Sequence, residues 1–186
     1  FLVNDLNGIP IGFILMSNIS LDDSKTPKDD FNFGPYYALL IGNNDYHNEG
    51  FLDLETPIND VKTIEDILKN KYGFIVETLT DATENQIQDA IADYANDDDE
   101  GKYYLNEDDN LLIYYAGHGD DHEVSGVGYW QGVDAIKGRR STWVANSDIT
   151  NEIKGLKAKH IIVIADSCYS GTIIVERGSE DKITRQ

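Results

Sequence analysis

Four short runs constrain what this chain can fold into: YYALLIG (36–42), FIVETL (74–79), LLIYYAGHG (111–119) and HIIVIA (160–165). Each reads as a strand, and the apolar ones carry too little polar alternation for a half-wetted sheet. Between them lie segments of helical period. In ETPINDVKTIEDILKNKYGF, Val61, Ile64, Ile67 and Leu68 form an apolar stripe, Thr56 is placed to cap, Pro57 suits the first turn and Gly73 falls past the end. In DATENQIQDAIADYA, Thr83 and Gln86 have capping-box spacing, and Ile87, Ala90, Ile91 and Tyr94 share a face. A third, shorter helix is predicted from Ser147 to about Gly155. Strands alternating with helices, the strands buried on both sides, define an α/β sandwich with a mainly parallel sheet.

The remaining segments divide the chain. Residues 1–16 read as two short strands about an Asn7-Gly8 turn, and 17–35 as a polar, proline-containing linker. This gives an N-terminal strand pair with linker, 1–35, ahead of one domain, 36–186. Residues 96–109 form an acidic connection, and 120–146 are glycine-rich and read as hairpins or an ordered loop. The chain opens on Phe1, which suggests a fragment or a processed product.

A length of 186 residues suffices for one domain with a substantial core. The net charge of −19 argues against nucleic-acid or anionic-membrane partners and is compatible with basic ones. No apolar run approaches the roughly 18 residues of a membrane span. A single cysteine excludes an intramolecular disulfide and leaves the compartment open, with the cytoplasm slightly favoured.

That cysteine, Cys168, stands in IIVIADSCYSGT directly after the fourth strand. His118 stands between Gly117 and Gly119 directly after the third. In open parallel sheets, sites form outside the carboxyl ends of strands. The two residues are 50 positions apart, room for one crossover. If their strands are neighbours, thiol and imidazole can face each other. The imidazole would then take the thiol proton and later protonate a leaving amine, with the N–H groups of Gly119 and Cys168 as oxyanion donors. A backbone carbonyl could orient the imidazole, because no third side chain suggests itself. Taken singly, each has a plainer reading: Cys168 as a buried hydrophobe and His118 as a structural turn residue.

The blocks YYALLIGNNDY (36–46), PINDVKTIEDILKNKYGF (57–74), LLIYYAGHGD (111–120) and HIIVIADSCYSGT (160–172) together resemble the caspase-like cysteine peptidases, in particular the metacaspase and bacterial caspase-homologue branch. The resemblance implies a three-layer caspase-like sandwich, with His118 as general base and Cys168 as nucleophile. It implies, too, that Asp166 and Asp60 line a pocket for an Arg or Lys side chain of the substrate. Asp60 alone would otherwise read as a first-turn carboxylate complementing the helix dipole. Caspases themselves use an arginine-lined pocket for Asp, and the first block and the stretch before Cys168 hold no arginine.

Departures from the family pattern bear on activity. Ala116 stands where metacaspases often have serine, and only 18 residues follow Cys168, whereas the family fold continues. A small-subunit chain or a C-terminal segment is therefore expected to complete the sheet. Autoprocessing would have Arg139-Arg140, Arg177, Lys182 and Arg185 as basic candidates. No cofactor is required. Calcium stimulation, known in the family, would draw on Asp120, Asp121, His122 and Glu123, which otherwise form a solvated loop. Two rival readings are a catalytically idle caspase fold acting as an interaction module and an α/β binding domain of signalling type; the second lacks a phosphate-loop motif.

Overall fold

The computed structural model describes residues 3–4, 10–11, 34–94, 105–122 and 127–167. The chain divides into two compact units, Phe1–Asn32 and Phe33–Gln186. In the first, β1 (Val3–Asn4) pairs antiparallel with β2 (Pro10–Ile11), Val3 opposite Ile11. Asn7 and Gly8 lie outside the described residues, as does 95–104, most of the acidic connection.

The second unit is built on β3 (Tyr36–Gly42), β4 (Ile75–Thr80), β5 (Asn110–Ala116) and β9 (His160–Asp166), all parallel, in the order β4-β3-β5-β9. Successive strand residues face opposite sides, and the registers Tyr37–Leu111 and Leu111–Ile161 bring odd positions onto one face. There Leu39, Ile41, Leu111, Ile113 and Tyr115 meet Ile87, Ala90 and Ile91 of α2 (Glu84–Ala92) and Ile149 and Ile153 of α3 (Asn146–Gly155). Even positions face the other way. Ala38 and Leu40 pack on Val61 of α1 (Pro57–Tyr72), with Ile64, Leu68, Leu112 and Tyr114 around them. Helices on both faces of a parallel sheet make the three-layer α/β sandwich that the alternation predicts.

Local signals hold in α2 and bend in α1. The Thr83–Gln86 capping box is complete, and Tyr94 joins the buried face of α2 as expected. Thr56 precedes α1 but its side chain caps nothing, because its backbone is already helical (φ −102°, ψ −35°). Asn44 does the capping instead, its Oδ1 accepting the Ile58 N–H at 3.0 Å. Ile67 is exposed rather than part of the stripe; six residues on from Val61 it lies about 120° round the helix. Gly73 ends α1 in the left-handed conformation (φ 70°), its N–H bonded to the Leu68 carbonyl.

The described residues of 120–146 include the hairpin that the sequence suggests, β6 (Gly119–His122) with β7 (Val127–Trp130). With β8 (Val144–Ala145) they form an antiparallel sheet. A 3₁₀ turn at Arg140–Thr142 leads into β8, and α3 starts one residue before Ser147. Trp130 and Val144 go into the main core, so this small sheet is pinned beside the carboxyl end of β5. Among the described residues, no helix is long and apolar enough to cross a membrane.

Candidate active site

The loop after β3 is irregular yet closely tied down. Asn43 is fully buried; its Oδ1 accepts the Ala82 N–H at 2.8 Å, and its Nδ2 donates to the carbonyls of Ala82 and Gln131, each at 3.2 Å. One side chain thus links the ends of β3 and β4 to the segment after β7. Asp81 takes a left-handed conformation (φ 51°), tolerable for Asp. Its Oδ1 accepts from the N–H groups of Asn44 at 2.8 Å and Asp45 at 2.9 Å. Further along, Asp53 Oδ1 accepts the Tyr46 N–H at 2.9 Å, and the His47 N–H donates to the Val133 carbonyl at 2.8 Å.

This loop reaches His118. The Leu52 carbonyl lies 2.8 Å from His118 Nε2. A carbonyl only accepts, so Nε2 carries the ring hydrogen and Nδ1 is left as the basic nitrogen. The orienting group is thus a backbone carbonyl, as the sequence allowed, and the Leu52 side chain itself is exposed. The rings of Tyr46 and Phe51 flank the imidazole, with centroids at 4.6 and 5.5 Å. The His118 N–H donates to Tyr46 Oη at 2.8 Å, and Tyr115 Oη donates to the His118 carbonyl at 2.6 Å. Tyr115 is completely buried and stacks on Trp130, with centroids 4.6 Å apart and planes 3° from parallel. Burial pushes both phenols above their usual range, so each stays a neutral hydroxyl.

The two glycines flanking His118 permit close approach. A Cβ on Gly117 would lie 2.6 Å from Tyr115 Oη and 2.9 Å from Tyr46 Oη. A Cβ on Gly119 would lie 2.6 Å from Ser167 Oγ. Beyond the last paired residues of β5 and β9, Ala116 and Asp166, the two chain segments therefore stay in contact, and the Gly117 N–H donates to the Asp166 carbonyl at 3.3 Å. Cys168 lies outside the described residues. In the sequence it stands two residues past Asp166, as His118 stands two past Ala116. Ser167 Oγ is buried and lacks a hydrogen-bond partner among the described residues. The Gln131 N–H donates to the His118 carbonyl at 3.1 Å, making these a directly bonded pair. The next pair, Gly119–Trp130, is then of the non-bonded kind, with the Gly119 N–H directed away from β7.

Asp166 and Asp60 belong to the α1 side of the sheet. Tyr114 Oη donates to Asp166 Oδ2 at 3.2 Å. Burial, then the carboxylates of Asp166 and Asp60, hold the Tyr114 phenol well above its usual range; both acidic groups therefore act on one phenol. Asp60 is half-buried in the first turn of α1, where its own N–H donates to the Thr56 carbonyl at 2.9 Å. Asp166 is exposed.

Of the four residues named for calcium, Asp120, Asp121 and His122 fall in β6, and Glu123 lies outside the described residues.

Sequence reasoning missed Asn43, Tyr46, Leu52, Tyr114 and Tyr115. Two adjacent tyrosines at the carboxyl end of a buried strand were the available signal, since their hydroxyls must reach opposite faces.

The caspase domain family matches residues 36–186, starting at the first residue of β3. The chain belongs to this family of cysteine peptidases. Comparison with curated proteins gives no match.

Proposed function

We propose that the protein is a cysteine endopeptidase of the metacaspase-like branch that uses a Cys168–His118 dyad to cleave peptide bonds after Arg or Lys. The observation that carries this reading is the pairing of Ala116 with Asp166 next to a histidine whose Nε2 is fixed by the Leu52 carbonyl.

The chemistry follows from those positions. His118 Nδ1 takes the Cys168 proton. The thiolate attacks the scissile carbonyl carbon, a C–S bond forms, and the carbonyl π pair moves to oxygen. The N–H groups of Gly119 and Cys168 stabilise that oxyanion. On collapse, the C–N bond breaks and the imidazolium gives its proton to the leaving amine. Water, activated by the same imidazole, then hydrolyses the thioester. No cofactor takes part in these steps.

Specificity would come from Asp60 and Asp166. Their joint effect on the Tyr114 phenol supports a negative pocket wall that pairs with a guanidinium or ammonium and repels Asp or Glu.

A further segment, either a small-subunit chain or a C-terminal stretch, would complete the sheet beside β9. Among the described residues, Ile162 and Ile164 of that strand are 51% and 39% exposed on the α1 side, which supports a further segment packing there. Release from a precursor would favour Arg177, Lys182 or Arg185 over Arg139-Arg140. The Arg139 and Arg140 carbonyls accept the N–H groups of Thr142 and Trp143 in a closed turn, and a substrate strand must be extended.

The test is a peptide panel with Arg, Lys, Asp or Gln at the cleaved position, assayed with this chain and with a C-terminally longer form. Hydrolysis after Arg or Lys, lost by at least about 10⁴-fold in Cys168→Ala, is the expected result. Cleavage after Asp would refute the pocket, and equal rates in Cys168→Ala would refute the nucleophile.

A further inference from the structure

The small sheet contains an irregularity at its first rung. His118 and Gln131 form a directly bonded pair, which in an antiparallel ladder exchanges two N–H···O bonds. Only one is made: the Gln131 N–H donates to the His118 carbonyl at 3.1 Å and is shared with Tyr115 Oη at 3.2 Å, a hydroxyl that also lies 3.0 Å from the Gln131 carbonyl. The His118 N–H turns instead to Tyr46 Oη at 2.8 Å, and that hydroxyl lies 3.4 Å from the Gln131 carbonyl, toward which it directs its own hydrogen. A phenol is both acceptor and donor, so Tyr46 is interposed in the rung where the second backbone bond would have closed.

We propose that Tyr46 is a positioning residue for His118: its hydroxyl is a spacer that holds the histidine off the β6–β7 ladder, at the place where its ring meets the Leu52 carbonyl. The proposal rests on the reading of His118 as general base. Three further observations support it. The Tyr46 ring lies against the imidazole at 4.6 Å. The Tyr46 N–H is tied to Asp53, the neighbour of Leu52, so phenol and orienting carbonyl belong to one braced loop. Gly117 leaves room for the spacer, since a Cβ there would come within 2.9 Å of the phenol oxygen. Phenylalanine would keep the ring but cannot bridge. It would strand a half-buried N–H, or the rung would close and draw His118 away from Leu52; misplacing a catalytic group by about 1 Å costs up to 100-fold in rate.

The experiment compares the 186-residue chain with its Tyr46→Phe variant by ¹⁵N NMR of His118 and by steady-state kinetics. In the wild type, the His118 amide should exchange slowly and its ring should be the Nε2–H tautomer at pH 8. In Tyr46→Phe, amide exchange should speed up at least about tenfold, the ring should become a tautomer mixture, and kcat should fall about tenfold or more with KM within about twofold. An unchanged tautomer and amide in the variant would overturn the proposal. So would a wild-type His118 amide that exchanges as fast as an open loop, even if the variant fails to fold. If neither this chain nor a C-terminally longer form hydrolyses a peptide, the protease reading fails, and the NMR comparison still decides for or against the spacer.

Discussion

Tyr114 and Tyr115 are adjacent on β5 and belong to two different regions. Tyr115 faces α2 and α3, is completely buried, stacks on Trp130 and holds the His118 carbonyl. Tyr114 faces α1, is half-buried and bonds to exposed Asp166. One face of the sheet is closed around the histidine's backbone; the other opens over β9, where Ile162 and Ile164 stand exposed. A site that does covalent chemistry on a variable chain needs both properties. The reacting group must be held within a fraction of an ångström, while the surface that receives the substrate must be accessible. On the proposed reading, the strand's two-residue period would supply both from neighbouring positions.

The comparison can be broken most severely from the closed side. Asn43→Ala removes one buried side chain that satisfies an N–H and two carbonyls. About 3 kcal/mol of stability should be lost, read by urea unfolding. A loss under about 1 kcal/mol would mean the loop is not braced as described. On the open side, the effect should fall on substrate choice. Asp166→Asn should lower kcat/KM for an arginine peptide by about 30-fold while leaving the melting temperature near that of the wild type. Equal loss on arginine and glutamine peptides would assign Asp166 a general structural role. The smallest effect tests the acidic rim of the closed side. Burial, with Asp134 and Asp148 nearby, raises the Glu84 pKa. A carboxylate with a raised folded pKa destabilises the fold as pH climbs through its unfolded value, and does nothing well below that value. Glu84→Gln should therefore raise the melting temperature by about a degree at pH 7 and leave it unchanged near pH 3.

The sequence is informative where its signals are local. Strand runs, the Thr83–Gln86 box and the Gly73 stop depend on residues within a few positions of one another, and they appear in the structure as read. The choice of Thr56 as the cap of α1 fails because the capping oxygen comes from Asn44, a dozen residues upstream in a loop. The bracing of that loop was illegible for the same reason: Asn43 and Gln131 are 88 positions apart, and no spacing rule connects them. The histidine could be picked out by its two glycines. What the glycines accommodate, two phenol oxygens on one side and Ser167 on the other, needed coordinates.

The central claim is that Cys168 and His118 act as a pair, and the single cysteine lets it be tested without a substrate. The rate of alkylation by iodoacetamide should be measured against pH in the wild type and in His118→Ala. The account predicts a reactive thiolate well below pH 8 in the wild type, reverting in the variant to the profile of an ordinary thiol titrating near pH 8.5. Superimposable profiles, both titrating near 8.5, would contradict it.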